Sequence, residues 1–208
     1  MQYALENFEF EYLIGLDTDA LIIGFGLIEK IQKYFENHKK KIGHIGSYKI
    51  RADGRKRSRW QWGIYIIFLA YIKSFISPDS TVFREWLRKA RQNGYKYGEH
   101  IIFGAYVFKY KCLQRIIHLF PYDIMLGNKL YLSRLGDDVL FGLLTFAAGY
   151  SLGDFGRPID PFAIAHNYLP ISKEALIEGD KKVIHSIKKG LDGENEDQLR
   201  CFFRKLRK

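Results

Sequence analysis

Cysteine is scarce in this sequence: two residues among 208, Cys112 and Cys201, far apart along the chain. Neither has another cysteine or a histidine at the spacing of a structural zinc site, which argues against disulfide-rich and zinc-clamped scaffolds. Free, buried thiols are the favoured interpretation, and they are typical of a reducing compartment. We therefore expect a cytoplasmic protein with no cofactor and no bound metal.

Long apolar runs are also missing. A membrane-spanning helix needs about 20 apolar residues, whereas the run 64–72 holds nine before Lys73 interrupts it. The first ten residues carry Glu6 and Glu9 and no basic stretch, so no secretory signal is expected there. We predict a chain that does not span a membrane.

The sequence lacks the motifs of common hydrolases and phosphate-binding loops. It has no G-x-S-x-G, no H-E-x-x-H and no glycine-rich loop that follows a strand. Acidic and histidine side chains that would be able to contribute to a metal site are Glu99, His100, His118, Asp123, Asp137 and Asp138. Adjacent residues on a helix diverge by about 100°, so capping acids and hydrogen-bonded histidines explain these residues better than a metal site.

Positive charge is the strongest feature that is present. The chain has 33 Lys or Arg against 23 Asp or Glu, a net charge of +10 and a pI near 9.5. Such an excess favours polyanionic partners. An apolar fraction of 47% with 16% aromatic residues argues against disorder. We expect one domain over 1–208, with a possible sub-boundary in the proline-rich and glycine-rich tract 153–170.

The positive charge is concentrated in residues 39–59, which hold nine Lys or Arg and one acid, Asp53. Cations bind phosphates without reading sequence. The nearby Trp60 and Trp62 can either stack on bases or anchor a core. The predicted nucleic-acid-binding residues are Lys39, Lys40, Lys41, Lys49, Arg51, Arg55, Lys56, Arg57 and Arg59, together with Arg200, Arg204 and Arg207 near the end of the chain.

Hydrophobic spacing predicts helices along most of the chain. Asp17 or Thr18 can cap a helix that continues to about Phe35, because apolar residues recur there at three and four positions. Further helices are predicted over 60–75, 77–93, 97–120, 139–152, 172–189 and 195–208. The stretch 42–59 has little apolar periodicity and is predicted to be a basic loop.

No segment alternates clearly between apolar and polar residues, so the sequence predicts an all-α fold of about six to eight helices in one multi-helix domain. The leading functional hypothesis is sequence-independent binding of nucleic acid, DNA or RNA, through an electropositive face. An alternative is a protein-interaction module, such as a stoichiometric inhibitor, an immunity-type protein or a homodimer. A third hypothesis is a metal-dependent nucleic-acid hydrolase.

Overall fold

The computed structural model describes residues 1–38, 41–57, 61–76, 81–119 and 135–206. Within these ranges the chain forms eight α-helices and seven β-strands, and the strands make two mixed sheets. The all-α helical-bundle prediction is therefore wrong, since the fold is mixed α/β.

The elements follow one another without a simple repeat. The helices are α1 (Gln2–Asn7), α2 (Leu27–Asn37), α3 (Gln61–Ile76), α4 (Thr81–Gln92), α5 (Tyr110–Leu119), α6 (Asp137–Ala147), α7 (Lys173–Glu178) and α8 (Glu196–Lys205). The strands are β1 (Tyr12–Leu16), β2 (Leu21–Ile22), β3 (Ile42–Ser47), β4 (Ile102–Lys109), β5 (Ser151–Asp154), β6 (Phe162–Ile164) and β7 (Val183–His185).

Each sheet contains one parallel pair. The larger sheet has the order β1-β4-β3-β5, in which β4 is antiparallel to both β1 and β3, and β3 is parallel to β5. The smaller sheet has the order β2-β7-β6, with β6 parallel to β7. The two sheets are joined directly, because β1 and β2 follow each other along the chain.

Both faces of the larger sheet are buried. Phe108 packs on one side with apolar residues of α3, α4, α5 and α6. Its neighbour Val107 packs on the other side with α2, β3 and β6. A third cluster joins the smaller sheet to α7 and α8 through Leu176, Leu199 and Phe203. The two sheets are thus held between helices that cover different sides.

Three helix predictions are confirmed over the residues that the structure describes; positions 60, 77–80 and 207–208 of the predicted ranges lie outside them. In α4, Phe83, Trp86, Leu87 and Ala90 are buried on one face, and Gly94 follows the helix with φ +90°. This conformation suits glycine after a helix end. The predicted helices at 60–75 and 195–208 correspond to α3 and α8, and α8 begins with a capping box made by Asn195 and Gln198.

The predicted helix over 97–120 is wrong in its first half. Residues Ile102–Lys109 form strand β4, and α5 begins at the next residue without a turn between them. Because β4 is covered on both faces, most of its residues are apolar and the period of two is lost. The resulting apolar run resembles a buried helix.

Other predicted elements are also corrected. The predicted loop 42–59 contains the fully buried strand β3. The predicted helix 139–152 ends at Ala147, before β5. The predicted helix 172–189 is instead the short helix α7 followed by strand β7. The predicted irregular tract 153–170 contains β6. The single-domain organisation stays a prediction.

The predicted lack of a transmembrane helix agrees with the part of the chain that the structure describes. No helix there combines the length and the apolar character needed to cross a bilayer.

Candidate metal centre

Several polar residues meet where the strands of the two sheets end. Asp17 follows β1, Asp154 ends β5, and His185 ends β7. Ser47 ends β3 and pairs with Ile102 at the start of the antiparallel β4. These residues lie where the carboxyl ends of β1, β3, β5, β6 and β7 meet the amino end of β4. We call this region the strand-end edge. Ligands of mixed α/β proteins commonly bind at the carboxyl ends of parallel strands.

Asp17, Asp19 and His185 form a cluster at the strand-end edge. Their carboxylate oxygens and an imidazole nitrogen all lie within 4.8 Å of one another. Nε2 of His185 is 3.0 Å from Oδ1 of Asp19 and 3.7 Å from Oδ2 of Asp17. Two carboxylates and one imidazole at these separations match the ligands that divalent cations use in proteins. We call this group the Asp-Asp-His cluster.

Asp19 is held in place by its neighbours. The hydroxyl of Ser186 donates to Oδ2 of Asp19 at 2.7 Å, and Nζ of Lys188 lies 3.3 Å from the same oxygen. Burial alone would raise the pKa of Asp19, but the Ser186 hydrogen bond and the charges of His185 and Lys188 outweigh it and lower that pKa. The carboxylate is therefore ionised and ready to bind a cation at neutral pH.

The cluster is buried on one side and open on the other. The side chain of His185 is 5% exposed and that of Asp19 is 13% exposed, whereas Asp17 is 48% exposed. The N–H of Asp17 donates to the carbonyl of Gly104 at 3.1 Å, which fixes the loop against β4. A cation at this position would be reached from the Asp17 side.

Gly104 makes room for the histidine ring. A Cβ atom at this position would lie 2.4 Å from Nδ1 of His185, closer than side-chain atoms approach one another. Nδ1 is buried and has no hydrogen-bond partner within the described residues. The polar interactions of the ring are therefore concentrated at Nε2, which faces the two aspartates.

A second acid–histidine pair lies on the same edge. Asp138, in the first turn of α6, places Oδ2 3.5 Å from Nε2 of His100, which lies two residues before β4. Nδ1 of His100 is 2.7 Å from the carbonyl of Gly98, and this bond orients the ring. The N–H of Val139 donates to Oδ1 of Asp138 at 2.8 Å. One carboxylate oxygen is thereby fixed to the backbone.

Arg57 and His166 lie close enough to this pair to be influenced by the charge of Asp138. Burial lowers the pKa of Arg57 to about 10, although Asp154 and Asp138 act in the opposite direction. Nη2 of Arg57 donates to the hydroxyl of Ser47 at 2.7 Å. Burial and then the charge of Arg57 lower the pKa of His166, which follows β6 beside the end of β7. Arg57 is thus directed inward, toward the strand-end edge.

The basic segment that carries Arg57 is a folded hairpin. Backbone bonds join Arg51 to Arg55 and Arg57 to Lys49, so residues 48–57 turn back on themselves. Asp154 accepts hydrogen bonds from the backbone N–H groups of Tyr48, Lys49 and Ile50. We call residues 48–57 the basic hairpin. Asp154 therefore fixes the hairpin to the strand-end edge.

The structure brings together part of the predicted nucleic-acid-binding set. Lys49, Arg55 and Lys56 are exposed on the basic hairpin, and Arg51 pairs with Asp53 at 3.4 Å. Lys41 is exposed and lies over the ring of Tyr150. The hairpin cations follow the carboxyl end of β3, whereas Lys41 precedes its amino end, so Lys41 lies apart from them. Arg57 differs from them, since it faces inward.

The C-terminal cations lie on a different element. Arg200 pairs with Glu196 at 2.7 Å, and its Nη2 donates to the carbonyl of Thr18 at 3.3 Å, between the two aspartates of the cluster. Arg204 is exposed on α8. Ala52 of the basic hairpin shares a buried cluster with Leu199 and Phe203 of α8, so the hairpin and α8 belong to the same part of the fold.

Some predicted positions lie outside the described residues: Lys39, Lys40, Arg59, Arg207 and the aromatic Trp60. Trp62 is described and is 65% exposed, so it does not act as a core anchor.

Sequence reasoning missed the Asp-Asp-His cluster. Asp17 or Thr18 was interpreted as the cap of a helix, whereas strand β2 follows them and α2 begins only at Leu27; His185 lay within a predicted helix. The available signal was a short apolar segment, Tyr12–Leu16, followed directly by two acids with one residue between them. Two acids so placed at the end of a strand are candidates for cation binding, but the sequence does not indicate which histidine joins them.

Comparisons with protein-family models, with curated proteins and with solved structures find no match to this chain. The support for a function therefore comes from the geometry of the strand-end edge.

Proposed function

We propose that the chain is a divalent-cation-dependent transferase whose donor carries a diphosphate leaving group, with nucleoside diphosphate sugars as the donor class. The observation that carries the proposal is the Asp-Asp-His cluster, whose ligand atoms lie within 4.8 Å of one another at the strand-end edge. Mn²⁺ or Mg²⁺ is the proposed ion, because two carboxylates dominate the ligand set and both ions favour oxygen.

The number of ligands supports binding of a diphosphate. Asp17, Asp19 and His185 offer one ligand atom each, so a six-coordinate cation held by them would have positions left for oxygen atoms of a diphosphate. The exposed side of Asp17 provides the approach for such a ligand.

Nearby cations complement the phosphates. Lys188 is 58% exposed while its Nζ contacts Asp19, so its charge is available to an anion that binds the same ion. The guanidinium of Arg200 lies against Thr18, between the two aspartates. Because Arg200 is paired with Glu196, Lys188 is the cation whose charge favours a negatively charged donor at the cluster.

Asp138 supplies the base that a transfer to a hydroxyl needs. Its Oδ1 accepts a hydrogen bond from the backbone N–H of Val139, and its Oδ2 lies 3.5 Å from Nε2 of His100. A carboxylate placed within reach of an acceptor hydroxyl can take its proton as general base. The proposed role places the acceptor between Asp138 and the cation-bound donor.

The reaction balances without a redox partner. The bond between the sugar C1 and the diphosphate oxygen breaks, and its electron pair leaves with the diphosphate; a cation held by Asp17, Asp19 and His185 would neutralise the charge that develops there. The acceptor oxygen forms the new bond to C1, and its proton goes to Asp138. The products are a glycosylated acceptor and a nucleoside diphosphate.

Manganese binding tests the ion site directly. Free Mn²⁺ gives a strong paramagnetic resonance signal that decreases when the protein binds the ion. We expect the wild-type chain to bind Mn²⁺, and Asp19→Asn to weaken binding by at least about tenfold because it removes a charged ligand. Asp192→Asn, at an exposed turn, is the matched control and should bind as the wild type does.

The donor class is tested with nucleotides. UDP, GDP, ADP and CDP should each be assayed by calorimetry with and without Mn²⁺, and the corresponding sugar nucleotides should be assayed for release of the diphosphate. We expect one base to bind only when Mn²⁺ is present. Absence of Mn²⁺ binding would overturn the ion site, whereas Mn²⁺ binding without any nucleotide effect would overturn the donor class alone.

Sequence-independent binding of nucleic acid is the second candidate. Its support is the basic hairpin, where Lys49, Arg55 and Lys56 are exposed beside the strand-end edge. Binding of short DNA and RNA should then decrease steeply with rising salt, and Lys49→Ala/Arg55→Ala/Lys56→Ala should reduce the salt slope. If binding also requires Mn²⁺ and the nucleic acid is cleaved, the third sequence hypothesis, a metal-dependent nucleic-acid hydrolase, replaces the transferase.

A cytoplasmic location is likewise proposed. Its support is that Cys112 and Cys201 are both free thiols, one buried and one exposed.

A further inference from the structure

Helix α3 has an unusual composition for a surface helix. Its 16 residues, QWGIYIIFLAYIKSFI, include one charged side chain, Lys73, and no acid. A helix that is apolar on all sides is normally covered on all sides, by protein or by lipid.

Among the residues that the structure describes, the protein covers only one side of α3. Ile66, Ile67, Ala70 and Ser74 are buried at helical spacing, and α4 packs beside them. The opposite side, which we call the α3 face, exposes large apolar side chains. They are Trp62, Tyr65, Phe68, Tyr71, Ile72 and Phe75, of which Trp62, Phe68 and Phe75 are 65%, 58% and 61% exposed. A contiguous apolar surface of this kind indicates an interaction site.

Positive charge lies next to the α3 face. Helix α4 carries four Arg or Lys and one acid, Glu85. The guanidinium of Arg84 lies 4.5 Å from the ring centre of Phe75, so a cation is placed directly beside an exposed apolar residue. Arg88 and Arg91 are exposed further along the same helix. The α3 face therefore has one cation, Arg84, at its border, and further positive charge lies on the same helix α4.

We propose that the α3 face docks on the surface of a lipid bilayer that contains anionic headgroups. Trp and Tyr favour the boundary between headgroups and acyl chains, and Arg beside them would contact lipid phosphates. A helix lying in the plane of the bilayer needs no spanning length, which agrees with the absence of a membrane-crossing helix in the described residues.

The charge distribution favours lipid over a second copy of the chain. A symmetric dimer through the α3 face would bring together two copies of a chain whose net charge is +10, each with Arg84 at the border of that face. Like charges at an interface oppose association. Anionic headgroups would instead neutralise them, so charge complementarity selects the membrane.

Vesicle sedimentation tests the proposal. The full chain should be mixed with vesicles of phosphatidylcholine alone and of phosphatidylcholine and phosphatidylglycerol in equal parts. We expect co-sedimentation mainly with the anionic vesicles. The variant Trp62→Gln/Phe68→Gln/Phe75→Gln should lose at least about tenfold in partition, because three apolar side chains no longer enter the interface.

A matched control separates the α3 face from exposed aromatic residues in general. Phe25 is 87% exposed but lies before α2 and outside the α3 face, so Phe25→Gln should partition as the wild type does. Circular dichroism should confirm that all variants are folded. A triple variant that sediments like the wild type would overturn the proposal. Failure of the wild type to bind anionic vesicles would also overturn it, and a dimer that the triple variant dissociates would assign the α3 face to a protein partner.

Discussion

Nε2 of His185 lies 3.0 Å from Oδ1 of Asp19, although 166 positions separate the two residues in sequence. Asp19 lies between β1 of the larger sheet and β2 of the smaller sheet, and His185 ends the central strand of the smaller sheet. The pair therefore forms only when both sheets are in place. An ion bound by this pair is linked to the folding of the whole arrangement.

Mn²⁺ should accordingly stabilise the folded chain. At a free concentration of one hundred times the dissociation constant, a ligand that binds only the native state adds about 2.7 kcal/mol to the free energy of unfolding. We expect thermal unfolding of the wild type to shift upward with Mn²⁺ and to return with a chelator. In Asp19→Asn the shift should disappear. An equal shift in both proteins would mean that the ion binds elsewhere.

Replacing Gly104 with alanine should damage the ion site without changing a ligand. The added methyl group would lie 2.4 Å from Nδ1 of His185, so the ring has to move away from the two aspartates. Displacing a ligand typically reduces metal affinity by about 10-fold to 100-fold, which Mn²⁺ titration of Gly104→Ala measures. Gly24→Ala is the control, because its methyl group meets the flexible chain of Lys182. Unchanged Mn²⁺ affinity in Gly104→Ala would contradict the assigned position of His185.

Asp138→Asn should lower turnover while leaving the ion site intact. General bases contribute about 10²-fold to 10⁴-fold to rates, and the asparagine amide cannot accept the proton. Release of nucleoside diphosphate in the presence of an acceptor measures the effect, with Mn²⁺ affinity measured alongside. Asp137→Asn, at the exposed neighbouring position, should lose no more than a few-fold. Equal losses in both variants would argue against a specific base.

Sequence patterns correctly predicted those elements that are determined by residues within the element itself, such as α4. For α4 these determinants are the buried face of Phe83, Trp86, Leu87 and Ala90 and the following Gly94, and all of them act within one helix. Strand β4 is different, because its composition reflects burial by helices from distant parts of the chain. Its apolar residues are continuous with those of α5, so hydrophobicity alone did not separate strand from helix.

The glycines of β3 caused this strand to be predicted as a loop. Gly43 and Gly46 indicated a loop, yet a Cβ atom at either position would collide with a packed side chain, Cys112 in one case and Ile101 in the other. These glycines permit close packing of a central strand. The candidate site depends on similar long-range contacts: Asp17 and Asp19 are close in the sequence, but only the fold brings them to His185.

Lys181 should be important for stability, because its side chain is buried and its ammonium group is bonded inside the protein. Its Nζ donates to the carbonyls of Arg157, Pro158 and Asp160 at 2.8, 2.8 and 2.6 Å. Burial lowers the pKa of Lys181 to about 8, so the side chain is still an ammonium ion at pH 7. All three of its donors are used, and it closes the loop between β5 and β6.

Lys181→Met should therefore reduce the free energy of unfolding by about 3 kcal/mol, since the buried carbonyls lose their partner. Urea unfolding at neutral pH measures the loss. Lys33→Met, at an exposed position of α2, is the control and should change stability by less than about 0.5 kcal/mol. A loss of similar size in both variants would show that the Lys181 contacts contribute little.

His44 gives the fold a predictable sensitivity to acid. The ring is fully buried in β3, stacks on Phe108 at a centroid distance of 3.8 Å, and has no hydrogen-bond partner at either nitrogen among the described residues. Burial lowers the pKa of His44 well below 6.5. The folded chain therefore keeps this ring neutral at a pH where the unfolded chain protonates it.

The sign of the pH dependence follows from this difference. Above pH 6.5 both states hold His44 neutral, and below it only the unfolded state takes up the proton, so stability decreases as the pH falls. One proton corresponds to about 1.4 kcal/mol per pH unit. His44→Leu should remove that contribution and flatten the dependence of the unfolding free energy on pH between about 6.5 and 5, as measured by urea titration at several pH values. The exposed His118 provides the control variant His118→Leu, and a slope that stays unchanged in His44→Leu would show that other groups cause the acid sensitivity.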